Sequence, residues 1–152
     1  MLVSKEFTFD SAHFLTKYHG KCEHLHGHTY RLRVTVEGEI QQNGLVIDFV
    51  ILKKIVRERI IDKFDHRSLN DYFDNPTAEI VCEFIWNELK NLPELLQAES
   101  ENPNMPEEIK RLLKGEGEKE VGAAVELKEV TLWETADSFV TCNNAHFSRT
   151  RD

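Results

Sequence analysis

The chain has 152 residues, 40% of them hydrophobic, and a formal net charge of −8. That length and composition give one domain with a real core and exclude an intrinsically disordered chain. The acidic balance argues against nucleic acid as the main partner, because duplex binding draws on clustered Lys and Arg; it leaves room for a small anionic substrate, which responds to the local field.

The first element is a strand. In "LVSKEFTFDSAHF", Val3, Lys5, Phe7 and Phe9 alternate with Ser4, Glu6 and Thr8, the period-2 pattern of a half-buried strand. "HTYRLRVTVEGEI" alternates more cleanly, with Tyr30, Leu32, Val34 and Val36 on one face. "QQNG" signals a turn, and "LVIDF" is expected to resume as a third short strand in a hairpin with the second. "VILKKIVRERIIDKF" follows as an amphipathic helix, with Leu52, Ile55, Val56, Ile60 and Phe64 near helical spacing. "DHRSLNDYFDNPT" is expected to be a loop. Thr77 is a good N-cap for a second helix, "AEIVCEFIWNELKNL", with Ile80, Val81, Phe84 and Ile85 inward. From about 98 to 122 the chain is charged and broken by Pro and Gly; it is expected to be a surface insertion with one short helix around "PEEIKRLL". "AAVELKEVTLWET" and "SFVTCNNAHF" read as two closing strands. The order, two or three strands, two helices and two strands, predicts an α+β fold over residues 1–152: an antiparallel sheet of four main strands with two helices on one face.

Cys22, Cys82 and Cys142 make an odd count, and "MLVSKEFTFD" has no apolar signal region. Free thiols in a cytoplasmic protein are therefore expected. No apolar run approaches the ~20 residues of a membrane span.

Three constellations carry chemistry. In "CEHLHGHTY", His26 and His28 flank Gly27. Side chains alternate along a strand, so both imidazoles point the same way and can chelate one ion. Zinc favours nitrogen and sulfur donors, and three protein ligands leave a position open for chemistry. His13, His19, His24, His66 and His146 are candidates for the third ligand. His13 reaches the same ion if the first strand pairs with the second. An isolated pair of this kind is equally compatible with imidazoles stacked on a polar strand face. The second constellation is "FDHRSLND", where Asp65 can orient His66 and raise its basicity. The third is "LWETADSF", with Glu134 near a strand end.

Together with "FDSAHF", "LVIDFVILKK" and "NPTAE", and in this order, these segments resemble the 6-pyruvoyl tetrahydropterin synthase and 6-carboxytetrahydropterin synthase family of the tunnelling fold. The likeness covers nearly the whole chain outside 98–122. It implies that His13, His26 and His28 are zinc ligands, that Cys22 is the catalytic cysteine, that Asp65 and His66 are the catalytic pair, and that Glu134 anchors the pterin ring, with Thr77 beside its pocket. It implies 7,8-dihydroneopterin triphosphate as substrate, with Lys17, Lys21 and Arg67 as candidates for its phosphates. It also implies a homohexamer of two trimers whose sheets join into an oligomeric barrel, with the Asp–His pair and the zinc ligands of one site on different chains.

Members that make carboxy or pyruvoyl pterins resemble this chain at Cys22; relatives that form 6-hydroxymethyldihydropterin carry a glutamate one position later, where Glu23 stands. The expected activity is formation of 6-carboxytetrahydropterin, a precursor of 7-deazaguanine nucleosides such as queuosine. The alternatives are the hydroxymethyl product, a bifunctional enzyme, or the pyruvoyl product; a reading of another class is a non-catalytic zinc-stabilised binding protein. Glu23 is either a second base or a solvated loop acid.

Overall fold

The computed structural model describes residues 1–114 and 125–147. Two long strands come first, β1 (Leu2–His13) and β2 (His26–Gly38), antiparallel over their whole length from Leu2↔Glu37 to His13↔His26. Tyr30, Leu32, Val34 and Val36 are all buried on one face, as the alternation predicts. The other face carries Glu6, Thr8, Asp10, Thr29, Arg31 and Arg33.

The expected third strand at "LVIDF" does not form. The turn closes through Gly44 N–H to the Gln41 carbonyl, with Gly44 at φ 82°. Val46 and Ile47 are both buried; two consecutive inward side chains do not suit a pleated strand. Asp48 then caps α1 (Phe49–Val56), its carboxylate accepting from Val50 N–H at 2.6 Å. The helix runs on through a π-helical segment, Arg57–Ile61, into a last turn, α2 (Asp62–Phe64). Leu52, Ile55, Val56, Ile60 and Phe64 are buried as expected. Their later spacing of four exceeds the 3.6 residues of an α-helical turn, and the wider π turn keeps them on one face.

A two-residue strand, β3 (Arg67–Ser68), runs parallel to β1 at Ser11 and Ala12. Thr77 caps α3 (Ala78–Leu89). Val81 and Ile85 face the core and Phe84 packs against it, whereas Ile80 is exposed, contrary to expectation; Cys82, Trp86 and Leu89 complete the buried stripe. The expected continuation to Leu92 breaks, and a separate helix, α4 (Leu92–Glu101), begins there with Pro93 in its first turn. The start of the supposed insertion is therefore part of the body. Leu92, Leu96 and Met105 are buried, and Glu99 pairs with Lys54 of α1 at 2.9 Å. The expected short helix is α5 (Glu107–Lys114); the rest of the insertion to 122 lies outside the described residues.

β4 (Val125–Trp133) pairs antiparallel with β2, and β5 (Phe139–Asn143) with β4. The last strand is shorter than expected, because Asn144–Phe147 forms a turn of helix, α6. The fold is α+β, with one sheet in the order β3-β1-β2-β4-β5. Its four long strands are antiparallel; the added β3 makes the sheet five-stranded and mixed. Among the described residues, no helix is long and apolar enough to cross a membrane.

Candidate functional site

The register of β1 against β2 places His13 directly opposite His26. His28 follows two residues on, on the same face, and the three rings converge with centroids 4.6 to 5.2 Å apart. One nitrogen from each ring lies within 4.8 Å of the other two. His13 Nδ1 sits 2.8 Å from the Pro76 carbonyl, and His26 Nδ1 2.8 Å from the His24 carbonyl. A carbonyl only accepts, so each Nδ1 carries a proton, and in the neutral ring each Nε2 presents a lone pair. Those two Nε2 atoms face each other at 3.1 Å, a spacing that needs a proton or a metal ion between them. His28 Nε2 is buried with no hydrogen-bond partner. Burial holds the His28 pKa below its ordinary value, with the other two imidazoles acting in the same direction against Glu134. Neutral imidazoles with fixed tautomers are what a metal site needs. The donor set fits a tetrahedral ion such as zinc with one position left open.

The carbonyls of Pro76 and His24 were not legible in the sequence, because any residue type supplies a carbonyl. The "NPT" segment was the available hint. It positions His13 through Pro76, while the Thr77 side chain is engaged in capping α3 by accepting from Ile80 N–H at 3.4 Å. Tyr30 closes the base of the cluster, its ring 5.6 Å from that of His28.

Glu134, just beyond the end of β4, lies against the triad: its Oε1 is 3.4 Å from His13 Nε2 and 3.9 Å from His28 Nε2. Cys22 sits in a 3-10 turn, Lys21–Glu23, half-buried. That turn is tied to the triad from two sides. The Cys22 carbonyl accepts from Leu15 N–H at 2.8 Å, two residues after His13, and the neighbouring His24 carbonyl holds His26. Cys22 is outside the tight nitrogen cluster. It is nevertheless the accessible thiol of the three: burial keeps Cys82 and Cys142 protonated, pushing both pKa values up. Glu23 is exposed and turns toward solvent-facing His24, 3.8 Å away.

Asp65 and His66 meet elsewhere. His66 Nδ1 is 3.0 Å from Asp65 Oδ1, and the ring is largely exposed. Asp65 Oδ1 also accepts from Asp10 N–H at 2.9 Å, while His66 N–H donates to the Asp10 carbonyl at 2.7 Å. The first of these bonds, helped by His66 and Arg57, holds the Asp65 carboxyl below its ordinary pKa. Among the described residues, His66 is the one non-glycine with positive φ, 59°, a conformation that persists where surrounding contacts enforce it. The pair is thus fixed beside Asp10, whose side chain is on the outer face of β1 and accepts from Thr29. The triad occupies the inner face. One chain does not bring the two groups together. Lys17, Lys21 and Arg67 are all exposed.

A family model described as 6-pyruvoyl tetrahydropterin synthase matches residues 2–105. The chain belongs to this family. Among its relatives, the 6-carboxy-5,6,7,8-tetrahydropterin synthase of Haemophilus influenzae is 39% identical over 115 residues, covering 59% of this chain and 82% of the relative. The dihydroneopterin monophosphate aldolase of Pyrococcus furiosus is 46% identical over 87 residues, covering 57% and 73%. The family's fold is also that of the Caenorhabditis elegans 6-pyruvoyl tetrahydropterin synthase structure, which superimposes with a TM-score of 0.67 at 24% identity over 95% of both chains. The match ends at residue 105, so β4, β5 and Glu134 lie beyond it.

Proposed function

We propose that this pterin-family lyase is zinc-dependent, and that it converts 7,8-dihydroneopterin triphosphate to 6-carboxy-5,6,7,8-tetrahydropterin in the cytoplasm, on the route to 7-deazaguanine nucleosides. The observation that carries the reading is the convergence of three imidazole nitrogens next to a turn that presents an accessible cysteine. The similarity to the H. influenzae synthase supports the product.

In this reading His13, His26 and His28 hold the metal. When bound, it supplies Lewis acidity toward the vicinal oxygens of the substrate side chain. Cys22 removes a carbon-bound proton. Asp65 accepts from His66 Nδ1–H and so leaves Nε2 as the atom that gives or takes a proton on the other side of the substrate. Glu134 accepts hydrogen bonds from the pterin ring and fixes the reacting carbon against these groups. Thr77 contributes the cap that sets the Pro76 carbonyl, with any substrate contact secondary.

The separation of triad and dyad onto opposite faces supports sites built between chains. Among the described residues, the outer edge of β1 beyond β3 and the edge of β5 are unpaired, and open strand edges favour pairing with another copy. A trimer closed through these edges, stacked into a hexamer, brings the dyad of one chain to the triad of the next.

A second reading has its own support. Glu23 adjoins Cys22, and the 46%-identical relative is an aldolase. A carboxylate base in that turn suits carbon–carbon cleavage of the side chain to 6-hydroxymethyldihydropterin. Incubation of the zinc-loaded protein with 7,8-dihydroneopterin triphosphate, followed by chromatography, separates the two: a carboxypterin product supports the first, a hydroxymethyl product the second. No turnover by a fully loaded protein discards both in favour of a zinc-stabilised binding protein.

A further inference from the structure

On the outer face of the sheet, the pair Thr8 and Arg31 is the next same-face rung after Asp10 and Thr29. Such rungs are ~7 Å apart along a strand. Beside that rung, where the β1 edge meets the first helix, a cavity of ≈ 300 Å³ is lined by Arg31, Lys53 and Arg57, with the Thr8 hydroxyl as a further donor. Phe7 and Ile61 form its apolar wall.

The charges here are unbalanced. The Arg31 guanidinium is set 4.2 Å from the centre of the Trp133 ring, a cation–π contact that fixes its position without neutralising it. Among the described residues, neither Arg31 nor Lys53 has a carboxylate within ion-pair distance. Arg57 has only Asp62, at 3.9 Å. The one acid in the lining, Glu6, is already engaged by Arg33, which donates to it through Nε at 2.9 Å and Nη2 at 2.6 Å. Three cations therefore face one hollow in a chain of net charge −8. A local field of this sign against an acidic background marks a place for a multiply charged anion. Arg57 also joins the hollow to the dyad, since it helps hold the Asp65 carboxyl down.

We propose that Arg31, Lys53 and Arg57 form the subsite for the phosphate tail of the substrate, one rung from His66, in preference to Lys17, Lys21 and Arg67. The assignment rests on the proposed reaction for its ligand; the cation-lined hollow itself does not.

The test uses the full-length zinc-loaded protein with two probes. The first is inorganic tripolyphosphate, followed by titration calorimetry. Lys53→Gln and Arg31→Gln should each weaken it about tenfold or more, the loss expected for one charge-assisted contact, and Lys90→Gln, at the end of α3, should not. Lys53 is exposed on its helix, so Lys53→Gln keeps the test informative if Arg31→Gln disturbs the packing on Trp133. The second probe is turnover of dihydroneopterin triphosphate against unphosphorylated dihydroneopterin. The same variants should raise KM for the triphosphate by a similar factor and leave KM for the unphosphorylated compound unchanged. Tripolyphosphate affinity that does not move in a folded Arg31→Gln, Lys53→Gln double variant overturns the subsite. Affinity lost with an unmoved KM for the triphosphate overturns it as the substrate's site, leaving free phosphate as the ligand. Binding that depends on these residues in a protein with no pterin turnover keeps the hollow and discards the reaction.

Discussion

The two faces of the β1–β2 ribbon are organised in opposite ways. On the inner face the imidazole cluster is enclosed: His13 is 1% exposed, and its tautomer is set by a carbonyl. On the outer face, three residues earlier on β1, Asp10 holds a pair whose imidazole is 78% exposed and whose backbone is in the left-handed region. The inner cluster is assembled within one chain, its three imidazoles placed where they could hold one ion. The outer pair is fixed from behind by the Asp10 backbone and open in front to solvent. Burial and exposure thus sort the same sheet into an enclosed imidazole cluster and a pair open to solvent.

The largest expected effect breaks the inner site. His26→Ala removes one of three nitrogens and leaves His13 Nε2 without its neighbour. Bound zinc should fall from near stoichiometric to near zero, and turnover should vanish with it, as read by metal analysis beside the activity assay. A fully loaded, active His26→Ala protein removes the metal assignment. His66→Ala should act differently. Zinc content should stay as in the wild type, while turnover drops ~10²–10⁴-fold, the usual cost of losing a general acid or base. Mixed oligomers of Cys22→Ala and His66→Ala subunits should recover part of the activity, because some interfaces pair an intact turn with an intact dyad. No recovery after verified subunit exchange places both groups of a site on one chain.

A finer prediction concerns the turn that borders the inner site. Cys22→Ala should abolish carboxypterin formation and retain, or unmask, 6-hydroxymethyldihydropterin. Glu23→Ala should do the reverse. Glu23 points toward exposed His24 in the isolated chain, so the second half depends on the assembled site turning it inward. A product profile unchanged by Glu23→Ala, measured by chromatography, makes Glu23 a bystander.

What the sequence disclosed follows the same division. Alternation placed His26 and His28 on one face because a strand's period is 2, and pairing of the first two strands delivered His13. The inner core was legible for the same reason. The period did not reveal what lies outside regular elements: the carbonyls of Pro76 and His24, the left-handed His66, or the bonds from Asp10 that fix the dyad. The "LVIDF" strand failed because β propensity in Val46 and Ile47 lost to the cap at Asp48 and to burial of both side chains. Helix α4 was missed because charge and Pro93 resembled a loop, although Leu92 and Leu96 supply a buried stripe.

The smallest effect tests whether the outer pair is held as rigidly as its geometry suggests. The Asp10 N–H bond, with His66 and Arg57, lowers the folded pKa of Asp65. A carboxyl whose folded pKa lies below its unfolded value, ~3.9 for Asp, stabilises the fold above that value, where it is ionised in both states. The contribution fades as pH falls from ~3.9 through the lower folded pKa, and is gone below it. Asp65→Asn keeps the shape and removes the titration. The wild type should therefore melt slightly higher than Asp65→Asn at pH 6, and the gap should close as the pH is taken below ~4. The effect should be modest, because the carboxyl is solvent-exposed and screened. Added salt should erode the part due to Arg57 and spare the part due to the Asp10 hydrogen bond. A gap that widens toward low pH reverses the sign of the linkage; it would mean that the protonated carboxyl is the better partner for Asp10, and that the outer pair is not held as an ion.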